Sequence, residues 1–102
     1  MLSSIASTPE AAEYYLGLVR PLQAHDRAHA GNLMGTLAQY LHCAGNVSRA
    51  ARALYLHRST LLHRLSRITS LTSLDLADPY VRIALSIGVL LAQRPEDAKR
   101  LP

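Results

Sequence analysis

Between Gly45 and Leu71 the chain leaves room for two helices and little else, and the two are of unequal length. Asn46 or Ser48 can accept hydrogen bonds from the first backbone N–H groups of a helix, which then runs only to about Leu54. Ala50, Ala51 and Leu54 form its inward edge, and side chains as small as alanine let another helix come close. After Tyr55 and Leu56 a longer helix is expected from about Arg58 to Leu71.

The rest of the chain punctuates itself in the same way. Thr8-Pro9-Glu10 supplies a capping hydroxyl, a proline at the first helical position and an acid in the first turn, which predicts a helix from about Pro9 to Val19. Pro21 is expected to end it, with a short helical turn following from Pro21 to Ala28. Asn32 then caps a helix in which Leu33, Leu37 and Leu41 recur every four residues, and Gly45 is its expected stop. Asp78-Pro79 opens a last helix reaching roughly Leu91. With Phe and Trp absent and Leu and Ala carrying the apolar content, 102 residues are expected to form one small all-α bundle of five to six helices. Residues 1–8 and 93–102 read as tails around a domain spanning 9–92.

Charge is distributed less evenly than the net +4 suggests. No acid lies between Asp26 and Asp75, yet Arg27, Arg49, Arg52, Arg58, Arg64 and Arg67 all do. At 100° per residue, Leu61, Leu62, Leu65 and Ile68 of the long central helix fall on one side. Ser59, His63, Ser66 and Arg67 point the opposite way, with Thr60 and Arg64 on a flank. Hydroxyls, imidazole and guanidinium groups are those that reach phosphates and base edges in a major groove. Arg49 and Arg52 lie outward on the preceding helix, where a crossing helix meets the sugar-phosphate backbone, and Arg58 can reach a flanking phosphate. The pair reads as a helix-turn-helix with double-stranded DNA as partner: Arg49 and Arg52 on phosphates, and Ser59, Thr60, His63, Arg64 and Arg67 facing the groove.

Other chemistries find less support. His25 and His29 are four apart, but no neighbouring acid, Cys or third His completes a metal set, so they read as structural. Cys43 is alone, cannot form an intramolecular disulfide, and reads as a packing residue. Tyr14, Tyr15 and Tyr40 read as amphipathic residues at the core edge. No Gly-rich phosphate loop or nucleophile elbow is present, so neither catalysis nor a cofactor is expected. MLSSIAS lacks the features of a secretory signal, and the apolar run from Ile83 to Ala92 is about half the ~20 residues that cross a bilayer, which together point to the cytoplasm.

GNVSRAARALYLHRSTLLHRL resembles the Fis-type helix-turn-helix, and with the trailing SRITSLTSLDLADPYVRIAL it is closer to the C-terminal DNA-binding domain of PucR-type (CdaR-like) bacterial transcriptional regulators. GN before the first helix, HR-x-TL at the start of the second, a later RI, then LDL and D-P before a final apolar helix carry the resemblance. EYYLGLVRPLQAHD is similar to the family's lead-in, so the likeness spans roughly residues 9 to 92. Three positions depart from the pattern. Tyr55 stands where a Fis-type turn usually has Gly, Ser59 where PucR-type sequences often have Asn, and Ser73 where they often have Gly. The resemblance implies promoter binding, commonly as part of a dimer, and a larger upstream region that responds to a small metabolite. It also implies that Met1 marks an artificial boundary.

From Val81 to Leu91 only Arg82, Ser86 and Gly88 are not apolar. That helix is expected either to support a twofold self-association or to sit at the bundle centre, enclosed by the Leu33-Leu37-Leu41 face and the first helix. The alternative to DNA binding is a helical interaction module that docks a protein through this last helix while the arginines only keep it soluble.

Overall fold

A computed structural model describes residues 8–93, and among these residues the chain forms five α-helices and no strand. They are α1 (Pro9–His29), α2 (Leu33–His42), α3 (Val47–Ala53), α4 (Arg58–Thr72) and α5 (Pro79–Gln93). The all-α bundle is as expected. Of the expected tails, residues 1–7 and 94–102 lie outside the described residues.

α1 opens as its sequence predicts, with Thr8 Oγ1 accepting from the Ala11 N–H at 3.2 Å and Pro9 in the first turn. It does not stop at Pro21. One helix of 21 residues carries Pro21 inside it, so the expected break and separate short turn are corrected. A proline leaves the carbonyl four residues earlier without its donor, here that of Gly17, which is exposed and open to water. Val19 and Leu22, fully buried on either side of Pro21, hold both halves of α1 on the core.

The start of α2 is satisfied from two directions. The Asp26 carboxylate, reaching over from α1, accepts from the Leu33 and Met34 N–H groups at 2.7 and 3.0 Å, while Asn32 Oδ1 accepts from Gly35 at 3.1 Å. The first three orphan donors of the helix are thereby met, and the carboxylate complements the positive end of the dipole. α2 buries Leu33, Thr36, Leu37 and Tyr40, and leaves Leu41 half-buried. Tyr40 is therefore a core residue, its hydroxyl donating to the Leu76 carbonyl at 3.3 Å, whereas Tyr14 is 63% exposed.

The helix stops are built differently from expectation. After α2 the Ala44 N–H bonds the Leu41 carbonyl and the Gly45 N–H bonds the Tyr40 carbonyl, both at 3.0 Å, a Schellman closure. Its left-handed residue is Ala44 (φ 54°), with Gly45 following at φ 80°. The same closure ends α3: Tyr55 N–H to the Arg52 carbonyl at 3.1 Å and Leu56 N–H to the Ala51 carbonyl at 2.9 Å. Here Tyr55 holds φ 57° with its side chain 96% exposed. A left-handed non-glycine residue carries about 1–2 kcal/mol of strain, of which glycine's extra unfolded-state freedom offsets roughly half. Tyr55→Gly is therefore expected to raise stability by about 0.5–1 kcal/mol, a few degrees in thermal denaturation followed by circular dichroism. An unchanged or lower midpoint would mean that the tyrosine ring contributes more than the strain costs.

Ser73 (φ 59°) ends α4 by the simpler left-handed closure, a single bond from its N–H to the Thr69 carbonyl at 2.7 Å. Asp75 and Asp78 then accept from Ala77 and Tyr80, and Arg82 donates to the Leu76 and Ala77 carbonyls. This side-chain scaffold turns the chain into α5. α5 packs on α1 and α2, and its backbone stays clear of α3 and α4. It buries Leu85, Gly88 and Val89 on the side that faces the core and Ile87 on the opposite side, where Ile83 at 57% and Leu90 at 52% stay exposed, so the apolar helix is not enclosed all round. Cys43 is a free, buried thiol within the core.

Candidate nucleic-acid interface

α3 and α4 form the two arms of the expected helix-turn-helix. Asn46 Oδ1 caps α3 by accepting from the Arg49 N–H at 3.0 Å, and Ala50 and Ala51 are buried where α4 approaches. Arg49 and Arg52, three apart on the other side of this short helix, are exposed. His57 occupies the cap position of α4 but makes no side-chain capping bond. Leu61, Leu65 and Ile68 are buried and fix which side of α4 faces the core.

Seven of the eight sequence-selected residues lie on the open surface: Arg49, Arg52, Arg58, Ser59, Thr60, His63 and Arg67. Arg64 is placed differently. It is half-buried at the flank of α4, and one guanidinium nitrogen donates to Thr36 Oγ1 in α2 at 3.3 Å. Ser66, Thr69 and Ser70 extend the polar surface of α4.

Leu62 is a correction. The wheel grouped it with the buried leucines, but it is 42% exposed. Leu61, Leu65 and Ile68 span an arc of only about 60°, and Leu62 lies roughly 60° beyond its edge. An exposed leucine on a groove-facing helix can contact a thymine methyl. Thr36 has a role that the four-residue leucine repeat of α2 does not reveal, although its place on the helix carries a signal. It lies between Leu33 and Tyr40 on the buried stripe of α2, where a hydroxyl needs partners.

No acid occupies the first turn of α3 or α4, and among the described residues none of Arg49, Arg52, Arg58, Arg64 and Arg67 forms an ion pair. Arg20 on α1 differs: it pairs with Glu13, whose hydrogen bond and charge raise the guanidinium above its ordinary value while the carboxyl is lowered in turn. The positive surface is thus concentrated on α3 and α4, as a polyanion site requires. His25 and His29 stack with ring centroids 4.4 Å apart, and the neighbouring Asp26 carboxylate is already engaged by the α2 backbone.

Known proteins give the same reading of the chain. Residues 33–91 match the family model of the PucR C-terminal helix-turn-helix domain. The proline-responsive transcriptional activator PutR of Bacillus subtilis (strain 168) is 33% identical over 93 residues, covering 91% of this chain and 23% of PutR. The DNA-binding transcriptional activator AdeR of the same organism is 29% identical over 80 residues, 78% of this chain and 19% of AdeR. An uncharacterized protein of Mycobacterium tuberculosis (strain ATCC 25618 / H37Rv) is 41% identical over 78 residues, 72% of this chain and 18% of that protein. The chain thus spans about a fifth of the length of these curated relatives. No solved structure matches it. Five helices, a short alanine-rich α3 set against a basic α4, and a family match across α2 to α5 agree: the chain belongs to the PucR C-terminal helix-turn-helix domain family.

Proposed function

We propose that residues 9–92 form the sequence-specific DNA-binding domain of a bacterial transcription regulator, acting in the cytoplasm. α4 lies in the major groove and α3 crosses the backbone. Arg49, Arg52 and Arg58 hold phosphates; Ser59, Thr60, His63 and Arg67 face base edges; Arg64 stands at the flank. The observation that carries this reading is the row of exposed arginines on α3 and α4, opposite Leu61, Leu65 and Ile68 and without an acid partner among the described residues. A protein-interaction module has no need of that row. Response to a small metabolite belongs to parts of such regulators beyond this domain.

Selection of bound duplexes from a random library provides the test, followed by single variants against the selected operator. Arg52→Ala is expected to weaken all sequences alike. His63→Ala or Arg67→Ala is expected to change which sequences are preferred, by about 1–3 kcal/mol at one position. Unchanged preference in both α4 variants would show that α4 does not read bases.

The domain is further proposed to act as a homodimer. Tyr80, Ile83 and Leu90 are exposed on α5, at positions that with Ile87 follow a three-four-three spacing, away from the arginine row. A twofold axis there can set two α4 helices about 34 Å apart on an inverted repeat. Ile87, buried to 7% exposure, is unsuited to the test because a charge there would break the fold. Ile83→Glu instead should convert a sedimenting dimer to a folded monomer; a wild-type monomer at all concentrations refutes self-association through α5.

A further inference from the structure

Thr36 is the one buried polar side chain among the described residues, with no exposure at all. Its hydroxyl has one donor and two lone pairs to place. The donor goes to the Asn32 carbonyl at 2.9 Å, inside α2. A lone pair accepts from Arg64 at 3.3 Å, across the junction with α4 and 28 positions along the chain. Arg64 in turn has five N–H donors, and Thr36 is the only partner it finds among the described residues. A half-buried guanidinium without a counter-charge is an incomplete arrangement in the free protein. What it lacks is an anionic acceptor.

The position of Arg64 on α4 says where that acceptor comes from. The helix turns Leu61, Leu65 and Ile68 to the core and Ser59, His63 and Ser70 to the opposite side. Arg64 stands between the two, on the flank facing α2. A helix seated in a major groove points its centre at base edges and its flanks at the sugar-phosphate walls. Resting on the proposed DNA-binding function, we infer that Arg64 takes a backbone phosphate and that Thr36 is its positioning residue, holding the guanidinium at one angle before DNA arrives. The threonine touches no DNA. It spares the long arginine side chain the ordering cost that binding otherwise imposes, and it ties the phosphate contact to the junction between α2 and α4.

A double-mutant cycle on duplex affinity tests this, using the operator selected for the wild type. Thr36→Val keeps the shape and removes the hydroxyl; Thr36→Ser keeps the hydroxyl. Thr36→Val is expected to weaken binding about 3- to 10-fold in the Arg64 background and not at all in the Arg64→Ala background, with Thr36→Ser near wild type. Affinities are read well below each variant's thermal midpoint, so a loss of fold stability alone would leave them unmoved. Operators carrying a single neutral methylphosphonate, scanned along both strands, should identify one position that weakens the wild type and not Arg64→Ala. An equal effect of Thr36→Val in both backgrounds, or none in either, overturns the positioning role while leaving DNA binding intact. No position separating wild type from Arg64→Ala overturns the phosphate contact. Failure of the wild type to bind any selected duplex would instead remove the functional reading itself.

Discussion

Binding of duplex DNA is expected to weaken about 150-fold as monovalent salt rises from roughly 50 to 200 mM, a logarithmic slope near 3.6. The size follows from four arginines, Arg49, Arg52, Arg58 and Arg64, each displacing about 0.9 counterion from a phosphate it neutralises. Net charge alone would not produce it, because +4 on 102 residues is modest. Placement does. Three of the four are exposed, and none meets a carboxylate among the described residues, so their charge is free for an external anion. Arg20 supplies the control. Its hydrogen bond and proximity to Glu13 hold that carboxyl below its ordinary value, so it stays ionised at neutral pH and neutralises the guanidinium locally. Arg20→Ala should leave the slope unchanged, whereas Arg52→Ala should lower it by about 1. Fluorescence anisotropy of a labelled duplex across a salt series measures both, and a flat wild-type response would remove the electrostatic basis of the interface.

What the sequence made legible is what local chemistry decides. Asn32 and Asn46 cap where their side chains predict, α3 and α4 begin and end within a residue of expectation, and the arginines of α3 are outward because Ala50 and Ala51 are inward. What escaped depends on partners distant in sequence. Pro21 reads as a stop by every local rule, yet Val19 and Leu22 on either side of it are both fully buried, and that shared burial carries the helix through. Leu62 reads as core because the wheel gives direction but not the width of the arc that the neighbouring helices cover. The stops after α1, α2, α3 and α4 place Ala30, Ala44, Tyr55 and Ser73 in the left-handed region, where glycine is the signal a reader looks for. After α2, α3 and α4, closure is driven by hydrogen bonds to the last carbonyls, which any residue's N–H can supply. The Thr36–Arg64 bond joins two helices through residues whose spacing carries no pattern.

Gly88 and Gly17 should respond to the same substitution with opposite signs. Both are helical glycines, and on backbone propensity alone replacing either with alanine stabilises by up to about 1 kcal/mol. A Cβ on Gly17 would meet nothing within 4 Å, so Gly17→Ala is expected to show that gain. A Cβ on Gly88 would lie 2.5 Å from the Tyr15 carbonyl oxygen, 3.3 Å from its carbon and 3.3 Å from Val19 Cγ1. The first two are backbone atoms of α1, which no rotamer change can move aside. α5 must therefore shift off α1, loosening Leu85 and Val89, which lie buried on either side of Gly88. Overpacking of this kind costs about 1–3 kcal/mol or more, and here the obstacle is rigid. Gly88→Ala is expected to lower stability by at least ~2 kcal/mol, about 8–16 °C in thermal midpoint, and Gly88→Val to leave little folded protein at 37 °C. The α5 backbone stays clear of α4, so any remaining DNA affinity should follow the folded fraction rather than fall independently. A stabilised Gly88→Ala variant would mean that α1 and α5 pack further apart than the Gly88–Tyr15 approach places them.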